Sequence, residues 1–548
     1  MRPSLIAATI LLTGSLLAGL GFCALLPPFE GFDETAHYSY IQQIAQTGSR
    51  PQLNDPMAAD VDDYFKAVPT PMKAPWSYWA FFRAPAETVQ AGAAAIHGAR
   101  DPLRRWRPGT SNNWEGQHPP LYYALLSPIW LLSKSWSIYA QLFLLRAVSY
   151  LFAWGGLVIV TVTLARRSAA SSATPLLVVG PALWPALFPM WFPEMARLGN
   201  DSLVLLLLAL AWVVTRRAIG PRGQTLQFAL LGGLCGLALL TKATALPFVA
   251  ALGLFLTWRV WRSRRNAAMR RIEISQLLVF CLVLAAIAGW WHLKNFIDYG
   301  SPILSADSIA LAKQGGMLKG LSENFSLPMS IRGLASIVRS FAWTGTWSFV
   351  SLPRVTEVPL SILVAVVAAG WIWQVSKART ISDIDAISVL TLALFGIALL
   401  HHMLVFIALF GAYTPGDWYL HSLAPLLAPL LARGLAEAAR WRRARPAIGA
   451  LVSYPLLFLA TVTAFHLFYF AGCLSEAVSG RRYELTEITA CAGSPHELLS
   501  HLAVLGNPAF AIPLFGVGWA VILTGILIVI ARWFFCAERP QLLHGRGP

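Results

Sequence analysis

Of the 548 residues, 56% are hydrophobic and only 12% are charged, with a mean hydropathy of +0.58. That is too little charge to cover a soluble protein of this length. The formal charge of +16 does not indicate nucleic acid, because Arg and Lys fall in short clusters between apolar runs. Those clusters, at 166–167, 216–222, 259–271, 377–379 and 440–445, follow the positive-inside pattern and orient the chain. Repeated runs near spanning length predict an all-α polytopic membrane protein, a bundle of about 12 transmembrane helices.

The first run, residues 5–26, reads as a retained anchor, since no small-x-small cleavage site precedes Pro27 and Cys23 has no small residue before it. Directly after it, residues 27–48 hold Glu30, Asp33, Glu34 and His37. Pro27, Pro28 and Gly31 predict an irregular chain there. Asp33 is then expected to cap a helix, with Glu34 in its first turn and His37 on the same face. The plain reading is a capped helix at a membrane boundary. Three acids beside a membrane exit nevertheless mark a candidate site, because ionisable groups at that depth are costly unless used.

An outer segment extends over residues 27–118, with an aromatic anchor at 75–79 and a basic knot at 100–107. The proline-led run 118–132 is short and reads as an embedded outer helix; a true crossing would invert everything downstream. Further spans are expected at 142–164, 175–192, 202–215, 226–240, 246–261 and 274–291. A second outer segment covers 292–357. The last spans are 358–373, 387–409, 421–436, 448–470 and 512–533, with an outer loop at 471–508. Both termini are then cytoplasmic. Residues 1–357 form a catalytic membrane module and 358–548 a C-terminal set of helices. Cys473 and Cys491 share one outer loop and suit a disulfide in an oxidising compartment.

Several charges sit at outer span ends, where orientation gives them no reason to be: Glu194, Arg197, Asp201, Lys242, Lys294 and Asp298. Caps and snorkelling are the bland alternative. Their convergence on the face of Asp33 fits carboxylates and cations acting on an anionic, lipid-anchored substrate. Phosphate-binding loops, dinucleotide fingerprints and nucleophile elbows are absent from the sequence. His401–His402 reads as a buried pair, and Asp33 with His37 is too few ligands to define a metal site.

The order GFDETAHY, HPPLYY, RLGND, LLTK and WWHLKNFIDYGSP resembles the GT-C superfamily of membrane glycosyltransferases that use polyprenyl-phosphate-linked sugars. The likeness is to bacterial members related to protein O-mannosyltransferases and the lipid A aminoarabinose transferase, and it covers roughly the first two thirds of the chain. The resemblance implies that Asp33 is the first-loop acid, a general base or acceptor-orienting group, with Glu34 its partner and Asp201 the second-loop acid. It places Lys242, Lys294 and Asn295 near the lipid phosphate. Arg197 joins this clamp by charge, and His37, His118, Tyr122 and Asp417 take acceptor or supporting positions. Many relatives carry an Arg-Tyr pair where this chain has Asp417-Trp418-Tyr419, which leaves Arg339 or Arg354 to supply the cation. The expected function is inverting transfer of a sugar to an envelope glycan, lipid or protein on the periplasmic face of a bacterial inner membrane. A divalent metal is allowed but not required. The rival is a transporter or flippase of a lipid-linked glycan, which internal repeats and mid-membrane charges would favour.

Overall fold

The computed structural model describes residues 3–69, 77–168, 175–220, 223–378, 381–413, 417–474 and 485–535. Each expected apolar run lies on a helix. Among the described residues eight helices are long and apolar enough to cross a membrane: Pro3–Leu25, Ile138–Arg166, Ala243–Arg265, Ala267–Tyr299, Arg354–Lys377, Asp383–Phe410, Arg442–Phe470 and Pro508–Arg532. The other expected spans are shorter helices, Pro175–Leu187, Asp201–Ala218, Thr225–Leu239 and Ala424–Ala438. Leu121–Leu132 is 12 residues long, about 18 Å at helical rise, and falls well short of a bilayer core. Pro75, Trp76, Arg222, Arg379 and Cys536 lie outside the described residues, as does the side chain of Asp417.

The first and last described spanning helices meet backbone to backbone through small residues. A Cβ on Gly518 would overlap the backbone nitrogen of Ala18, so no side chain fits there. Such contacts are how helices associate in lipid, where apolar burial alone gives no preference.

The first outer segment folds back on itself. Strands Pro56–Ala58 and Pro108–Asn112 pair antiparallel, with Pro56 opposite Asn112 and Ala58 opposite Pro108. The pairing returns residues 113–118 to the start of the Glu34–Thr47 helix. The second outer segment reaches the same place. Thr346 and Ser348 bind the buried Glu30 carboxylate at 2.6 and 2.9 Å, and Tyr78 donates to its other oxygen at 2.8 Å.

Tyr78 also packs on Tyr469 and Phe470, and Arg83 donates to the Gly472 carbonyl at 2.9 Å. Cys473 follows and is bonded to Cys491. The disulfide and the acid-rich loop therefore occupy one end of the bundle. Helices that start at that end, beside Lys242 and Tyr419, finish at Arg259 and Glu437. There the basic clusters pair with Glu273 and Glu437, and Arg433 pairs with Asp385. One end is basic and the other carries the acid loop.

Candidate active site

Asp33 stands at the N-cap position of its helix in left-handed conformation, φ 61° and ψ 7°. A non-glycine residue pays for that geometry, and such strain gathers at functional sites. The expected capping role is corrected: its carboxylate makes no cap hydrogen bond. The Trp114 indole instead donates to Oδ1 at 2.8 Å. Asp33 is only partly buried, and among the described residues no cation is paired with it.

Glu34 points the other way and is fully buried. Arg146, from the Ile138–Ser168 helix, grips it bidentately at 2.7 and 2.6 Å, while Gly31 and Leu198 donate backbone N–H groups at 3.0 and 2.8 Å. Arg146 also caps the carbonyls of Cys23, Leu26 and Pro27. Glu34 is thus a joint between the end of the first helix and the Leu198 turn, and not a reactive partner of Asp33. Arg146 escaped the sequence reading, although a lone arginine in an apolar run is the usual sign of an internal partner.

Arg197 is 1% exposed. Its Nε and Nη2 bind Glu194 at 3.0 and 2.8 Å, and Nη2 also binds Asp201 at 3.0 Å. Nη1 donates to the Phe32 carbonyl at 2.9 Å and faces His37 Nε2 at 3.5 Å. All five donors are committed. With each N–H facing an acceptor here, Arg197 is arranged to act on an anion through its charge.

Lys242 breaks the chain between the Thr225–Leu239 helix and the next, in extended conformation. Its Nζ lies 2.7 Å from Asp201 Oδ2 and 4.2 Å from the ring centre of Tyr419. An ammonium carries three donors, so one ion pair and a ring face leave capacity for a ligand. Asp201 Oδ1 and Asn200 Oδ1 are buried without hydrogen-bond partners among the described residues. Burial raises the affinity of Glu194 for its proton.

The remaining expected residues divide. His37 Nδ1 meets the Tyr123 hydroxyl at 3.0 Å and Glu115 at 3.3 Å; His118 Nε2 meets the same Glu115 oxygen at 3.3 Å. Tyr122 is spent on Ser149 at 2.6 Å. Lys294 is corrected: it pairs with Asp298 one turn on, on an exposed helix face. Asn295 is buried with neither end of its amide partnered among the described residues. Arg339 is paired with Glu357.

Trp114, Glu115 and Tyr123 were not singled out from the sequence. The turn NWEGQH, 113–118, reads the helix start residue by residue: Asn113 on the Ala36 carbonyl, Trp114 on Asp33 and Glu115 on His37. Burial and the charge of Asp33 push the Glu115 carboxyl up to about 8, while burial and Lys242 hold His118 down to about 3. Burial and Arg197 likewise keep His37 well below its usual range. Among the described residues no group of three or more His, Cys, Asp or Glu is placed to hold a metal ion.

No family model matches the chain, and no curated protein matches it. Among solved structures it is similar to ArnT from Cupriavidus metallidurans bound to undecaprenyl phosphate, with 14% identity and a TM-score of 0.43. That alignment covers 95% of this chain and 78% of that one. It is also similar to the oligosaccharyltransferase of Archaeoglobus fulgidus in complex with Zn and sulfate, at 14% identity and a TM-score of 0.37. There 88% of this chain aligns, and it spans 54% of the larger protein.

Proposed function

We propose that this protein is an integral-membrane glycosyltransferase of GT-C type. It moves a sugar from a polyprenyl-phosphate donor to a cell-envelope glycan, lipid or protein. The observation that carries the reading is Asp33: among the acids gathered at this end, it is partly exposed, paired with no cation among the described residues and held in a strained backbone. Trp114 fixes one oxygen and leaves the other for an acceptor hydroxyl.

In the reaction the acceptor oxygen attacks the anomeric carbon as the bond from that carbon to the phosphate oxygen breaks. The hydroxyl proton passes to the Asp33 carboxylate, and the bonding pair leaves with the lipid phosphate. A single displacement inverts the anomeric centre. Charge grows on the phosphate, so the ammonium of Lys242, backed by the field of Arg197, is the group that stabilises it. Direct departure of a phosphate needs no metal. Asp201 aims Lys242 through their 2.7 Å contact.

The disulfide at the Asp33 end supports an oxidising compartment on that side, and the basic clusters at the opposite end support a cytoplasmic placement there. The active site then faces the periplasm of a bacterial inner membrane, with both termini cytoplasmic. The test is purified full-length protein in sealed proteoliposomes, given polyprenyl-phosphate sugars and envelope fractions. Sugar appearing on an acceptor, with release of polyprenyl phosphate in equal amount, is expected. Donor bound and moved across the bilayer unchanged would instead identify a flippase.

A further inference from the structure

Glu115 differs from its neighbours in what it touches. Glu34, Glu194 and Asp201 each lie against an arginine or a lysine. Glu115 is equally buried, at 4% exposed, yet among the described residues no arginine or lysine pairs with it: its contacts are the Tyr123 hydroxyl at 3.0 Å and two imidazoles at 3.3 Å, all on Oε2.

The hydrogens can be assigned from these partners. Arg197 presents an N–H to His37 Nε2, so the His37 proton resides on Nδ1 and points to Tyr123 and Glu115. The Tyr123 oxygen accepts from Asn200 at 3.4 Å and gives its own hydrogen to Glu115. A carboxylate buried without a contacting cation is costly, and a proton on it removes that cost. The carboxyl proton then has an acceptor in His118 Nε2, whose own protonation is suppressed.

We propose that Glu115 serves the site as a neutral carboxylic acid, a positioning residue that fixes His37 and His118 behind Asp33 and withholds one negative charge from the place where an anionic donor binds. The inference rests on the lipid-phosphate reading above. The groups facing Glu115 are Asp33, His37 and Tyr40 from the first outer segment, His118 and Tyr123 beside the short outer helix, and Arg197 and Lys242 from the later turns. The two cations already lie against Glu194 and Asp201, and Asp33 is a third acid beside them. Ionised Glu115 would add a further negative charge. With burial raising its pKa to about 8, donor affinity falls as pH rises through that value.

Two measurements on the full-length protein in nanodiscs test this. Infrared difference spectra between wild type and Glu115→Gln should contain a carboxylic-acid C=O band at neutral pH that disappears by about pH 9. Binding of a polyprenyl phosphate should weaken roughly ten-fold over that interval in wild type, from one added charge at an effective dielectric near 20. The same titration on Glu115→Gln controls for the ionisation of the phosphate itself and should lack this added weakening. Should Glu115→Gln fail to fold, Tyr123→Phe removes the hydrogen bond to Oε2 and should shift the band. A band insensitive to both variants, or equal pH dependence with and without Glu115, overturns the proposal. Absence of lipid-phosphate binding to either protein, with the band present, overturns the donor reading and leaves the protonation state standing.

Discussion

Arginine has five N–H donors, and in Arg197 each meets an acceptor within 3.5 Å. A charge counted from the sequence is therefore not a ligand waiting for phosphate. Lys242 has the same formal charge and a different occupation, one carboxylate and one ring face. Replacing Lys242 by Ala should weaken polyprenyl-phosphate binding by roughly ten- to a hundred-fold, as loss of a charge-assisted contact does. Isothermal titration in nanodiscs checks this, and unchanged affinity removes Lys242 from the clamp. Glu34 makes the converse case. It adjoins Asp33 in sequence, but the left-handed backbone of Asp33 sends the two carboxylates to different partners. Glu34→Ala leaves the Arg146 guanidinium buried and unpaired, which costs about 3–5 kcal/mol. Thermal unfolding should report that loss. A stable protein with transfer alone abolished would return Glu34 to the chemistry.

At the scale of elements, helix placement was legible because a bilayer demands apolar runs of fixed length. The helix Leu121–Leu132 follows the same logic from its prolines and its shortness. What the sequence hid is the NWEGQH turn. Its contacts to Asp33, Ala36 and His37 cross some eighty positions of chain, and a two-stranded pairing of mixed prolines delivers them. No periodicity marks such a turn, although Glu115 three residues before His118 was a spacing to weigh. The packing of the first and last helices was equally hidden, since scattered glycines in apolar runs have many uses. Gly518→Leu should force those helices apart and cost at least 1–3 kcal/mol, the range for overpacking. A melting temperature equal to wild type would show that the close approach is dispensable.

For the whole molecule, the acid loop and the Cys473–Cys491 disulfide lie at one end and the basic clusters at the other. The two ends should take a membrane-impermeant thiol reagent from opposite sides. A cysteine at exposed Glu87 should label from the side of the disulfide, and one at exposed Arg264 only from the other. Labelling of both from one side would undo the orientation. Cys473 and Cys491 should resist the reagent until reduced. The orientation also decides which acids a substrate can meet, and of those gathered there Asp33 is partly exposed while Glu30, Glu34, Glu115, Glu194 and Asp201 are buried.

The most direct test is therefore the rate of sugar transfer from a polyprenyl-phosphate donor by wild type and Asp33→Asn, in protein of matched thermal stability. The asparagine keeps the Trp114 contact and removes the base. The account predicts that transfer falls by about 10²–10⁴-fold, as expected for a lost general base, while donor binding persists. Transfer by Asp33→Asn at the wild-type rate would contradict it.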